Sequence, residues 1–304
     1  MADFILDVLI QGLAYGFLAL GVYITYKVLD YADLSVEGSF PMGAAIAAMC
    51  IINGWNPFLT LIVSFIGGLL AGCVTGLLHV MFKISSLLSG ILVMTGMYSI
   101  NLIITAEKSN LPIFNYDTIF TIGTKLAKQI DGELGIWLAK LYPVFLLLIL
   151  VVLAKGLLDW FLNTKLGFML RITGDNPQLV ASLGQNIGLI KIIGLAISNG
   201  YAALSGAVVC QVLKYFDMQL KDGIIVLGLA SVILGISVFG KSKHLKSTSV
   251  VILGAIVYRL TIAVALKFGL PAYYLKLIMA VIFILALISN NGVFTKWLPK
   301  GGKE

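Results

Sequence analysis

The chain has 304 residues, of which 60% are hydrophobic and only 12% charged. Soluble domains carry about twice that charged fraction, so the composition excludes a water-soluble globular protein and points to an all-α, polytopic membrane protein. The net charge of +7 belongs to membrane orientation, because basic residues gather in cytoplasmic loops; a nucleic-acid partner is not expected.

A helical span needs about twenty mostly apolar residues. Residues 4–26 form the first. This run holds Asp7 and Gln11, lacks a basic start and a cleavage site, and is expected to remain in the mature protein. The next stretch, residues 30–44, places Asp30, Asp33, Glu37, Ser35, Ser39, Gly38, Gly43 and Pro41 between two apolar runs. Backbone that leaves a helix inside a bilayer is tolerated where it is buried in protein or lines an aqueous cavity. Two readings stay open: a broken helix lining the path of a polar solute, or a short cytoplasmic loop followed by an ordinary helix from Ser39.

Residues 39–52 form a short second span, and 57–82 and 85–105 the third and fourth. Within the third, Gly67, Gly68, Gly72 and Gly76 present small residues to one face, which lets helices pack closely in lipid. Residues 106–135 are too polar to span and read as an external loop, with an interfacial helix compatible with 125–142. The fifth span covers 136–162. A second polar segment, 163–186, is followed by spans at 187–213, 222–239, 247–266 and 271–289. Nine crossings put Lys27, Lys83, Lys155, Lys165, Arg171, Lys241, Lys243, Lys246, Lys296, Lys300 and Lys303 on one side. That side is the cytoplasm by the positive-inside rule, with the C-terminus inside and the N-terminus outside. The whole chain reads as a single transmembrane domain.

A faint repeat relates Ser89-Gly-Ile-Leu-Val-Met-Thr-Gly96 to Asp222-Gly-Ile-Ile-Val-Leu-Gly-Leu229, and Ala71-Gly72-Cys-Val74 to Ser205-Gly206-Ala-Val208. The paired helices run in opposite directions, the mark of inverted transporter halves. In the 163–186 segment, Asp175 or Asn176 can cap a helix, Pro177 suits its first position and Gly184 its stop. The result is a two-turn helix with Leu179, Val180 and Leu183 on one side. Such a helix is too short to stand alone in water and needs a partner surface, either a motor protein or the lipid headgroups.

Cys50, Cys73 and Cys210 lie singly in apolar runs and read as packing residues. His79 reads as a packing residue, and with His244 far away in sequence no metal or nucleophile constellation forms. No cofactor is expected. Thr95, Tyr98, Ser99 and Asn101 form a polar patch on span four, and Asn199 another on span six. Each is either an interhelical hydrogen-bond group or a solute contact.

The motif Asp33-Leu-Ser35-Val-Glu37-Gly38-Ser39 resembles the Asp-Leu-Ser-Val-Gly stretch of ribose-type ABC permeases. The wider pattern is similar to the branched-chain amino acid permeases of the same superfamily. It includes Gly12-Leu-Ala-Tyr-Gly-Phe-Leu-Ala-Leu-Gly21, Gly76-Leu-Leu-His79, the 174–184 segment, Gly228-Leu-Ala-Ser-Val-Ile-Leu-Gly235 and Tyr258-Arg259. The resemblance covers nearly the whole chain and is nearest to a short subgroup associated with import of aromatic amino acids such as tryptophan. It implies a bacterial plasma-membrane importer of two permease copies, two cytoplasmic ATPases and an external solute-binding protein. The 174–184 helix would then couple to the ATPase. In the sugar permeases glycine directly follows Asp-Leu-Ser-Val, whereas this chain inserts Glu37 before Gly38, which argues against a sugar and for a solute with a positive group.

Arg259 falls mid-span, where an unpaired charge is costly. Glu37 is its expected partner, the two meeting the carboxylate and amino groups of a zwitterion. The expected substrate path is Ser35, Glu37, Gly38, Ser39, Tyr98, Asn101, Asn199 and Arg259. The chain has no phosphate-binding Gly-x-x-x-x-Gly-Lys-Ser/Thr loop, so ATP hydrolysis would belong to a separate subunit. An ion-coupled secondary transporter or channel would share the inverted halves and midplane charges, and is the alternative.

Overall fold

The computed structural model describes residues 2–129, 132–240, 242, 245–269, and positions 274, 277, 278, 280, 281, 283 and 284. Apart from those isolated positions, the expected ninth span lies outside the described residues. So do Lys241, Lys243, His244, Lys296, Lys300 and Lys303.

Helix α1 (Ala2–Tyr23) runs into one π turn, Ile24–Val28, and then the chain leaves helical geometry until Ser35. Asp30 adopts φ 49° there, in the left-handed region where a short polar side chain is tolerated. Helix α2 (Val36–Ile52) begins inside the fold, and Pro41 sits in its second turn. A proline has no N–H, so the Glu37 carbonyl lacks its usual i+4 donor. The break anticipated at 30–44 is therefore an irregular segment over 29–35 that is largely buried in protein.

Helices α3 (Pro57–Val80) and α4 (Ser86–Ile104) follow. The polar segment after α4 carries strand β1 (Asn110–Pro112) and helix α5 (Ile119–Ala127). The interfacial helix thus lies earlier than expected. Thr118 and Thr121 cap α5 reciprocally, whereas Glu133 onward is continuous with α6 (Glu133–Leu162). At 30 residues, α6 is about 45 Å long, well beyond the ~30 Å apolar core of a bilayer, so its ends project. The Tyr142 hydroxyl, donating to the Ile119 carbonyl at 3.1 Å, ties α5 to it.

Two short helices, α7 (Lys165–Asp175) and α8 (Pro177–Ser182), precede α9 (Ile187–Leu213). Strand β2 (Tyr215–Asp217) pairs antiparallel with β1, joining Asn110 to Asp217 and Pro112 to Tyr215. A 3-10 turn, Met218–Lys221, leads into α10 (Ile224–Phe239), and α11 (Ser247–Lys267) completes the described helices. Among the described residues, seven helical stretches are long and apolar enough to cross a membrane, and α2 is a shorter apolar helix.

The core is the antiparallel pair α3–α9, with α2 laid against both. A Cβ on Gly68 would meet the Asn199 carbonyl and one on Gly72 the Leu195 carbonyl, while Gly76 faces Ile192. The small-residue face read from the sequence is therefore the α3–α9 seam. On α2, Gly43 abuts the Ala203 carbonyl, and Gly206 of α9 abuts that of Phe40. Hydroxyl-to-carbonyl bonds fasten the bundle, as expected where lipid supplies no hydrophobic drive between helices. Ser205 donates to Ala14, Ser198 to Gly21 and Ser64 to Gly43.

Candidate solute path and coupling segment

The break is held by a buried polar knot. One Asp33 oxygen accepts from the backbone N–H of Ser35 at 2.9 Å and from its hydroxyl, and the other accepts from the Asn199 amide at 2.8 Å. The Asn199 carbonyl oxygen accepts from Ser39 at 2.6 Å and lies 3.1 Å from the Ser35 hydroxyl, while its amide also donates to Leu195. Ser35, Ser39 and Asn199 have no solvent exposure and Asp33 only 6%. Buried polar groups of this kind are tolerated because each has a partner. The knot fixes the irregular chain to α9, and Asp33 is the member that sequence reasoning left off the path. Beside it, Tyr31 donates or accepts at Ser89, and its ring meets the edge of His79.

Above the knot the chain enters α2 with Glu37 half-buried in its first turn. The Glu37 carboxylate accepts the backbone N–H of Ile225, in the first turn of α10, with Lys221 and Asp222 near enough to act on its charge. The positive end of a helix dipole favours an anion there. Asn101 of α4 donates to the Gly38 carbonyl at 3.2 Å, and its own carbonyl oxygen is buried without a hydrogen-bond partner. One turn away Tyr98 is exposed, and the Lys221 ammonium sits 4.9 Å from the centre of its ring. Glu37, Gly38, Tyr98 and Asn101 thus come together at the junction of α2, α4 and α10. Ser35, Ser39 and Asn199 form the separate knot beneath. Lys221 joins the junction unforeseen, since in the sequence it reads as an ordinary basic residue of an outer loop.

Glu37 and Arg259 do not pair. Arg259 of α11 stacks over the Tyr15 ring at 3.8 Å and donates to the Gln11 side-chain oxygen Oε1 at 3.4 Å. Tyr15 in turn stacks on Phe40. An aromatic face and a neutral amide on α1 offset part of the cost of this charge, while its Nε is buried without a hydrogen-bond partner among the described residues.

The candidate coupling segment folds as its cap residues predict. The Asn176 side chain caps α8 by accepting from the Leu179 N–H, Pro177 takes its first turn, and Gly184 follows at φ 72°. Asp175 ends α7. One expectation is corrected. Leu179 and Leu183 are exposed, but Val180 is fully buried in the main core. Neighbouring helical positions differ by about 100° in direction, so a stripe three residues wide has an inner and an outer edge. The preceding helix is tied to the break: a Cβ on Gly174 would collide with the Val28 carbonyl.

Residues 4–287 match the family described as branched-chain amino acid transport system / permease component. The tyrosine transport system permease protein of Clostridioides difficile is 45% identical over 94% of this chain and 91% of its own length. An uncharacterised protein of Rickettsia prowazekii is 31% identical over 90% and 92%. The ribose import permease protein of Haemophilus influenzae is 24% identical over 97% and 87%. Among solved structures, PsaBC from Streptococcus pneumoniae in complex with Fab shares the fold, with a TM-score of 0.52 at 15% identity over 97% of this chain and 94% of that one.

Proposed function

Because the chain belongs to the family of branched-chain amino acid transport permease components, it is a transport subunit and not an enzyme, and we propose that it imports an aromatic amino acid, tyrosine or a near relative. The observation that carries this reading is the charged junction around Glu37. It is built inside an apolar bundle by a broken helix, the kind of backbone that membrane proteins keep for a polar path. The tyrosine permease of C. difficile, at 45% identity, supports the choice of solute.

In this reading two copies of the chain stand in a bacterial plasma membrane with the C-terminus inside. An external solute-binding protein delivers the amino acid, and cytoplasmic ATPases dock on residues 174–184. Glu37, Gly38, Tyr98 and Asn101 line the path. Ser35, Ser39 and Asn199 brace it, and Arg259 locks α11 to α1. The exposed face of α4, with Thr95, Tyr98 and Ser99, turns toward the path or the second copy rather than toward lipid.

The test is uptake of radiolabelled tyrosine into proteoliposomes holding the permease, its ATPases and the solute-binding protein. Saturable uptake that requires ATP and is not inhibited by ribose is expected. Uptake by the permease alone, driven by a sodium or proton gradient, would overturn the proposal in favour of a secondary transporter.

A further inference from the structure

We propose that the junction of α2, α4 and α10 recognises the two charged ends of a free α-amino acid, its ammonium held by Glu37 and Asn101 and its carboxylate by Lys221. This rests on the reading that the junction lies on the solute path. It goes further by naming which protein atom meets which end.

On its α2 and α4 side the junction holds more acceptors than donors. The Asn101 carbonyl oxygen is buried with no donor, and its orientation is set by the bond from its own amide to Gly38. The Glu37 carboxylate has about four lone-pair sites, one of which faces the Ile225 N–H. Pro41 leaves the Glu37 carbonyl without its helical donor. A buried acceptor left unmatched is costly, so the missing component is a group rich in N–H. An ammonium brings three donors and no acceptor, whereas a sugar hydroxyl brings one donor and two more acceptors. The arrangement therefore discriminates against ribose-like solutes by hydrogen-bond polarity as well as by charge. Asp222, close enough to act on Glu37, adds negative charge that favours the ammonium end.

Lys221 supplies the opposite sign. Its ammonium rests over the Tyr98 ring, a weak hold of the cation–π kind at an exposed site. A carboxylate can draw it away by a charge-assisted hydrogen bond. That movement bares the Tyr98 ring, which then offers a flat face to an aromatic side chain.

The experiment measures tyrosine uptake kinetics in the proteoliposomes described above, alongside ATPase stimulation by the loaded binding protein. Glu37→Gln and Lys221→Met should each lower kcat/KM for uptake at least tenfold while leaving stimulated ATPase within twofold of wild type. Asn101→Leu should raise KM. The charge-keeping variants Glu37→Asp and Lys221→Arg should recover much of the loss, which a merely structural role would not predict. Wild-type uptake in both Glu37→Gln and Lys221→Met would overturn the assignment. So would parallel loss of uptake and ATPase with no rescue by the conservative pair. Absence of any amino acid uptake by the wild-type complex would sink the transport reading and this assignment together.

Discussion

Asp33 is the residue on which the break depends, and among the described residues Asn199 of α9 is the helical side chain that bonds to it. Removing one member of a buried hydrogen-bonded pair leaves the other desolvated and short of a partner, at about 1–3 kcal/mol and more when it is charged. Asn199→Leu should therefore lower the thermal midpoint of the detergent-solubilised protein sharply. The double variant Asp33→Val with Asn199→Leu should lose less than the sum of the two singles. Strict additivity in that cycle would show that the two side chains act independently. At this scale the sequence was partly legible. Glu37 stood out as a carboxylate in a glycine- and serine-rich stretch between two apolar runs. Its partner was misassigned to Arg259, because spacing along a chain cannot say which helix a mid-span charge faces. The orphaned oxygen of Asn101 and the role of Lys221 depend on tertiary contacts and left no trace in composition or period.

Among the elements, α8 shows how a short helix divides its faces. Val180 plugs the main core, while Leu179 and Leu183 stay exposed. Leu179→Asp should weaken binding of the ATPase subunits at least tenfold in a pull-down or by light scattering, with the permease's own thermal stability unchanged. Val180→Asp should instead unfold the segment, since burying a carboxylate without a partner costs several kcal/mol. Unaltered ATPase binding by Leu179→Asp would remove α8 from the coupling role. Its caps were readable because Asn176, Pro177 and Gly184 act through local backbone chemistry alone. Which residue pointed inward was not, since that is decided by α9. The π turn at Ile24–Val28 and the β1–β2 pair were likewise invisible. Each depends on partners distant in sequence, whereas α3, α4, α9 and α11 follow from hydropathy and end within a few residues of where it places them.

For the whole molecule, the distribution of basic residues predicts the orientation; α7, α8 and the π turn holding Lys27 lie at one end of α9, and the strand pair lies at the other. In a background lacking the native cysteines, Gln178→Cys should react with an impermeant thiol reagent only from the cytoplasm and Asn115→Cys only from outside. Labelling of both from one side would reverse or break the scheme. The two strands also have a mechanical meaning. They hydrogen-bond the chain just after α4 to the chain just after α9, so those helix ends cannot part at the outer face without tearing the ladder. If the helices tilt during transport, the strand pair would serve as the fulcrum. A tilt of about 5° around it carries the opposite ends of the helices through roughly 3 Å across a ~30 Å apolar core. The long arm of the lever ends beside Gly174 and the break, where ATPase movement would be applied. Opposed residues in an antiparallel pair lie about 4.5–5.5 Å apart at Cα, within reach of a disulfide. Asn110→Cys combined with Asp217→Cys, once oxidised, should therefore pin the pivot and leave uptake intact; loss of transport that returns on reduction would mean that the outer rim itself must open.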